Sequence, residues 1–385
     1  MKKALYLFTI LFVVSCSQLG KDQEGKTVVV NIDLNRKPEN INTTDFLRRT
    51  SIRLVPLETT EDSNLGMNYN QMVVSDGNIY ILDNQQSVIL CFDGNGRFIR
   101  KINKLGNGPQ EYSRPAGIAV LKERISLLDG NRIQQYDLEG NFIKTIPVCR
   151  GYQIIVTPSG NFVITGSYTD EYSLHIFDSA GKLLSEYFPR QKTLADMILT
   201  RGNASSMGVY KNGIFVSNYF DLSVYHVADD TVKNLYKFDF GAQNMPDDLL
   251  YGSPEEKMDK YENYRNNKVM NIDYLTVSED WVIFIASLHR NNTIIYYNRT
   301  NDSYITSKEF EPPYSVLLGG INAPLGRTIK GEYYFMIESS RLRKMILELA
   351  EKDKDYKSKY EFLKDIDPSG IDDNDNEWIV FYTLK

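Results

Sequence analysis

Short apolar runs recur along the chain, each closed by a turn. "IYILD" (79–83), "ISLLD" (125–129) and "FVITG" (162–166) are the clearest. "IFVSN" (214–218), "VIFIA" (282–286) and "YYFMI" (333–337) are weaker copies. Their length suits buried strands better than helices. A short turn such as "SDGN", "PSGN", "YKNG", "SEDW" or "IKGE" precedes them. The first three are followed by a second pattern: "FDGNGRFI" (92–99), "YDLEGNFI" (136–143) and "FDSAGKLL" (177–184), spaced 44 and 41 residues apart. Each reads aromatic, Asp, two variable residues, Gly, polar, then two apolar residues. That is hairpin chemistry: the Asp side chain accepts turn N–H groups, and Gly takes the positive φ.

The repeating unit is therefore strand, turn, strand, loop, strand, Asp-x-x-Gly hairpin, strand. Four strands in about 40–45 residues make a propeller blade. Six copies predict an all-β fold, a six-bladed β-propeller of four-stranded antiparallel blades spanning 45–385. The last blade lacks an outer strand at the C-terminus. "SIRLVPLE" (51–58) is expected to supply it, because closing the ring from both ends removes an exposed sheet edge. "TVVVNIDL" (27–34) is a candidate for a further strand or edge cover.

Turns in such a meander alternate between two faces. Connections between first and second strands, and between third and fourth, share one face; the remainder share the other. The short turns and Asp-x-x-Gly hairpins fall on one face. The long segments fall on the other: "KLGNGPQEYSRP" (104–115), 189–206, 241–272 and 340–363. In the last of these Leu342, Met345, Ile346 and Leu349 stand at helical spacing, so helical insertions on one face are expected. Long loops on a rigid scaffold are where binding chemistry concentrates.

The N-terminus changes the picture of location. "MKK", an apolar stretch too short for a confident membrane span, and "VVSC" read as a bacterial lipoprotein signal over 1–15. Cys16 would be the lipidated first residue, and 16–44 a tether. Removing 1–15 takes two of the 44 Lys and Arg, leaving a balance of −8 against 50 Asp and Glu. An acidic exported chain is a poor nucleic-acid binder. Cys91 and Cys149 are the other cysteines, better read as two separate buried thiols than as a disulfide.

Candidate chemistry is sparse. Gly106 and Gly108 suggest a phosphate loop, but Pro109 follows, and there is no third glycine and no Lys-Ser/Thr. Asp365, Asp367 and Ser369 match the first positions of a calcium loop before the pattern slips, with Asn376 and not an acid at position twelve. His175 and His226 fall within strands and read as packed rings. GxSxG, HExxH and paired CxxC motifs are missing from the sequence. Asp83 and Asp129 close strands and read as turn caps. Residues placed on the long-loop face are Glu111, Tyr112, Arg114, Arg132, Tyr168, Tyr219, His289, Arg290 and Arg341. Tyr and Arg combine stacking with planar hydrogen bonding, which suits sugars or peptides.

The aromatic-Asp-x-x-Gly hairpins followed by "GNGPQEY" (106–112) resemble the six-bladed β-propeller lipoproteins common in Bacteroidetes, which are similar in shape to NHL-repeat and TolB-like propellers. "IRLVPLETTEDSNLG" (52–66) and "DIDPSGIDDNDNEWIVFYTLK" (365–385) resemble that family's entry and exit segments, although the family more often has Asn-Pro where this chain has Asn374-Asp375. The resemblance implies a fold and an envelope location, not a reaction; no cofactor is expected. Two function classes stay open: a non-catalytic binding or scaffold module for a glycan, peptide or envelope protein, and a polysaccharide lyase or hydrolase.

Overall fold

The computed structural model describes residues 26–36, 52–66, 69–165, 171–189, 207–210, 213–228, 231–320 and 322–385. Six small antiparallel sheets form a ring. Blade one is β3 (Tyr69–Ser75), β4 (Asn78–Asp83), β5 (Val88–Phe92) and β6 (Phe98–Ile102). Blade two is β7 (Pro115–Leu121), β8 (Arg124–Asp129), β9 (Arg132–Asp137) and β10 (Phe142–Pro147). Blade three is β11 (Gln153–Val156), β12 (Phe162–Thr165), β13 (Tyr172–Phe177) and β14 (Leu183–Pro189). Blade four is β15 (Met207–Tyr210), β16 (Gly213–Ser217), β17 (Ser223–Ala228) and β18 (Thr231–Asp239). β1 (Val28–Asn31) joins it as a fifth strand, parallel to β18. Blade five is β19 (Asp273–Val277), β20 (Trp281–Leu288), β21 (Asn291–Asn298) and β22 (Ser303–Thr306). Blade six is β23 (Gly326–Arg327), β24 (Tyr333–Ile337) and β25 (Trp378–Tyr382), with β2 (Arg53–Pro56) as its outer strand.

The second and third strands of each blade are the most apolar, and their side chains meet those of the next blade. Between blades one and two, Leu82, Ile89, Tyr112, Leu127 and Tyr136 make one such seam. Phe238, Phe284, Ile295 and Tyr297 occupy the seam between blades four and five. Each seam is a slab of core, so stability is shared around the ring and not concentrated at one centre.

The Asp-x-x-Gly hairpins set how adjacent blades meet. Asp93 Oδ1 accepts from the amides of Asn95 (2.8 Å) and Arg97 (3.0 Å). Asp178 Oδ1 does the same for Ala180 and Lys182, both at 2.9 Å. Gly96 has φ of 79°, and a Cβ there would lie 1.9 Å from Pro56 O on the outer strand of the preceding blade. Gly181, at φ 87°, would meet Pro147 O at 2.4 Å in the same way. The glycine thus serves the turn and also lets each hairpin lie against its neighbour's backbone.

The two chain ends are clasped in blade six. β2 runs antiparallel to β25, from Arg53↔Phe381 to Pro56↔Trp378. The Arg53 guanidinium lies 3.6 Å from the Phe381 ring centroid and pairs with Glu332 at 3.1 Å. Beside the strand pair sits Asn376, which is buried. Its amide donates to Glu58 O and Ser63 O, both at 2.9 Å, and its Oδ1 accepts from Leu65 N at 2.8 Å. Its backbone N–H donates to Thr59 Oγ1 and its carbonyl accepts from Ser339 Oγ. A carboxamide is the one short side chain able to supply both donors and an acceptor here. Asn376→Ala would strand three buried backbone groups. It is expected to lower unfolding free energy by about 2–4 kcal/mol, measured by urea denaturation; a loss below about 1 kcal/mol would show that the clasp is not held by this residue.

Candidate functional site

The turns between first and second strands, and between third and fourth, are two to five residues long in every blade that the chain completes without a break. The other face carries the longer connections that follow β3 among the described residues. It holds 103–114, 240–272, 307–325 and 338–377; the segment between β14 and β15 lies outside the described residues. Among the described residues it also carries four helices: α1 (Pro254–Tyr264), α2 (Tyr314–Leu317), α3 (Ser339–Lys352) and α4 (Tyr356–Lys359). α1 opens with a capping box, Ser253 with Glu256, and Pro254 at its first position. α3 buries Leu342, Met345, Ile346 and Leu349. The segment 307–325 carries no periodic signal in the sequence, yet it supplies the floor on which α3 rests.

The loop 103–114 is bound from every side, and this alters the roles expected of its residues. Glu111 Oε2 accepts from Gly108 N at 2.7 Å, inside the loop. Tyr112 is completely buried; its hydroxyl donates to Ser87 O at 2.8 Å and also lies 3.2 Å from Ile102 O. Burial pushes that phenol up to about 12. Asp129 Oδ1 accepts from the amides of Ser113 (3.0 Å) and Arg114 (2.6 Å). Arg132 spans Asp129 Oδ2 at 2.8 Å and Glu111 O at 3.2 Å. The Tyr112 hydroxyl is thus turned into the interior, while Glu111 and Arg132 hold the loop through the bonds named. Of Glu111, Tyr112, Arg114 and Arg132, Arg114 is the exposed one.

Three more candidates have local partners or surroundings. Arg341, on α3, donates to Val316 O (3.2 Å) and Asn322 Oδ1 (3.4 Å), so it ties the helix to 307–325. Tyr219 is half-buried and lines a narrow cleft between blades three and four with Ser173, Phe188 and Asn218. The cleft's volume of about 10 Å³ is at the lower limit for one water. Asp367 Oδ1 accepts from Ser369 N at 3.0 Å, capping a single helical turn. Among the described residues no group of three or more His, Cys, Asp or Glu could hold a metal ion. Cys91 is buried and Cys149 half-buried; they are not joined. Cys16 and Tyr168 lie outside the described residues.

What does present itself on this face is in blade five. β20 and β21 are eight residues each, longer than any other middle pair, so their hairpin projects over the long-loop side. At its tip His289 (φ 52°) and Arg290 (φ 61°) form a two-residue turn with both residues left-handed. Gly or Asn normally fills such a turn, and two bulky residues there carry strain. Both are exposed, and His289 N donates to Asn266 O at 2.8 Å, fastening the tip to the 240–272 insertion. Below the hairpin, β19 enters the ring through a bulge between Asp273 and Thr276. Tyr274 within it has φ of 54° and is an exposed side chain. Asp273 Oδ1 is buried without a hydrogen-bond partner among the described residues. Burial alone moves its carboxyl up to about 7. Bulges at strand starts often re-aim side chains beside functional sites.

A model of a domain of unknown function, DUF4934, matches residues 27–383. The chain belongs to the DUF4934 family. Among solved structures, a Bacteroides fragilis NCTC 9343 protein inferred to be exported is similar to this DUF4934 chain: TM-score 0.68, 15% identity, 94% of this chain and 100% of that one. A DUF4221 family member from Bacteroides vulgatus follows at TM-score 0.51 and 12% identity, covering 87% of this chain and 96% of that one. At such identities the likeness shows the fold. No curated protein matches.

Asp273 gives this DUF4934 chain a pH signature. Between its ordinary value of 3.8 and about 7, the folded state holds a proton that the unfolded state has lost, so this group lowers stability as pH rises through that window. Asp273→Asn removes the effect. Because the residue is half-buried, the gain over the parent is expected to be modest, about 1–3 kcal/mol at pH 8 and near zero at pH 4. Thermal melts of both proteins across pH check this; a gain that does not grow with pH contradicts it.

Proposed function

We propose that the chain is an envelope β-propeller, anchored by lipid at Cys16, that serves as a non-catalytic binding or scaffold module for a protein or peptide partner on its long-loop face. The observation that carries the reading is the placement of the long connections 103–114, 240–272, 307–325 and 338–377, and of the four helices among the described residues, on one side of the ring. Insertions without a role would fall on both sides. Six of the exposed apolar side chains, Leu105, Tyr251, Met258, Tyr274, Leu325 and Leu347, belong to long-loop connections or to the strand start beneath them. Tyr251 is 69% exposed. On the short-turn side Ile329 is the large apolar side chain that stands out among the described turns. Aromatic and aliphatic groups amid polar ones are what a protein interface needs at its centre. The exported relative is in keeping with an envelope location.

The alternative is a polysaccharide lyase or hydrolase at the mouth of the propeller. Asp273 is the one observation in its favour. General acid–base work on a glycosidic bond needs a second titratable group facing the first. Burial is the sole cause of the shift at Asp273, with no charged neighbour contributing, which favours the binding reading. A glycan ligand would still use the exposed Tyr and Arg of this face.

Photo-crosslinking in cells tests the proposal. A benzophenone side chain placed at Tyr251 or Leu347 is expected to give protein adducts, while the same group at Asn95 or Ile329 on the short-turn face gives none. Adducts from the short-turn positions alone would refute the choice of face. Retention on a glycan array abolished by Arg114→Ala or Tyr274→Ala would transfer the reading from protein to sugar.

A further inference from the structure

The N-terminal strand fixes a direction that the blades do not. β1 is parallel to β18, with Val28 opposite Tyr236 and Asn31 opposite Asp239. β18 begins after a short turn and ends at Asp239, where the 240–272 insertion leaves on the long-loop face. β1 therefore travels toward the long-loop face, and the chain before it comes from the short-turn side. Thr27 Oγ1 donates to Asn234 O at 3.1 Å, which continues the path down β18 toward that side.

The strand is firmly seated. Val30, Ile32 and Leu34 are buried in the seam between blades four and five. Ile32 N donates to Asp239 O at 2.7 Å, and Asp33 N to the Tyr304 hydroxyl at 3.0 Å. Lys308 Nζ donates to Leu34 O, and Arg36 pairs with Glu309, both at 3.1 Å. The exit is held by blade five after β1 has been added to blade four, so its direction is part of the fold.

From this we infer that the propeller stands on its membrane with the short-turn face toward the lipid and the long-loop face directed away, where a partner meets it. The inference rests on the lipid anchor at Cys16 given above, but on none of the residues that argue for the binding face. Residues 17–26 can span at most about 35 Å. A chain of that length, entering from the short-turn side, would have to turn back over the rim of blade four to place the other face against the bilayer. The short-turn face does not adsorb on its own account: carboxylates outnumber cations on its described turns, so anionic headgroups repel it. The tether orients the ring and leaves it standing off the surface.

The test uses the full-length lipidated protein, purified from membranes and reconstituted in vesicles of phosphatidylethanolamine and phosphatidylglycerol with a fluorescent acceptor lipid. In a Cys149→Ser background, donor dyes are attached at Asn95→Cys and Asn301→Cys on the short-turn face, or at Asp259→Cys and Lys344→Cys on the long-loop face. Transfer to the lipid is expected to be several-fold higher from the first pair. Equal or reversed transfer in a protein that floats with the vesicles overturns the orientation and leaves the anchor standing. A protein that does not float with them, and behaves like Cys16→Ser, overturns the anchor and the orientation together.

Discussion

The outer strand of blade six comes from the opposite end of the chain, and everything else in the ring depends on that pairing. A sheet of four blade strands presents unpaired backbone groups at its outer edge, and a ring left open presents two apolar seams to water. Pairing β2 with β25 removes the break in one step. Asn376 secures it by satisfying two carbonyls and an amide of the entry segment from the exit segment. The residues joined in this way lie more than 300 positions apart. The entropy of closing so long a loop grows only slowly with its length, so a strand pair plus one saturated carboxamide is enough to hold it.

A closed ring divides the molecule into a part that must repeat and a part that need not. Every Asp-x-x-Gly hairpin touches the blade before it, as Gly96 touches Pro56 and Gly181 touches Pro147. Lengthening those turns would push blades apart. The other face has no such constraint, because its connections run over the rim and across the mouth. It can hold helices, a projecting hairpin with two left-handed residues, and a bulged inner strand. The strain at His289, Arg290 and Tyr274 is sustained by a frame that does not yield. The path of β1 adds a separate reason to regard that face as the one presented to partners.

The fold was legible in the sequence wherever its cause is local. A turn Asp and its Gly act within five residues, so three hairpins and their spacing disclosed the blade. α3 was legible because four apolar residues share one face at helical spacing. Roles were illegible wherever the partner is distant. Tyr112 looks like a ligand residue in a line of text, since nothing there shows Ser87 and Ile102 closing on it. Asn376 stood in a sequence resembling a calcium loop, and its true partners belong to the entry segment. Asp273 gave no sign at all, because its character comes from a bulge and from burial, neither of which has a motif. The segment 307–325 escaped notice for lack of periodicity.

The central claim is that the ring closes as one cooperative body through β2 and β25, and native-state hydrogen exchange tests it most directly. Amides of β2 and β25 are expected to exchange with the same free energy as those of β12, on the far side of the ring, because breaking the clasp opens every seam. Exchange of β2 at a free energy several kcal/mol below that of β12 would contradict the account, since the outer strand would then fray while the ring stayed closed.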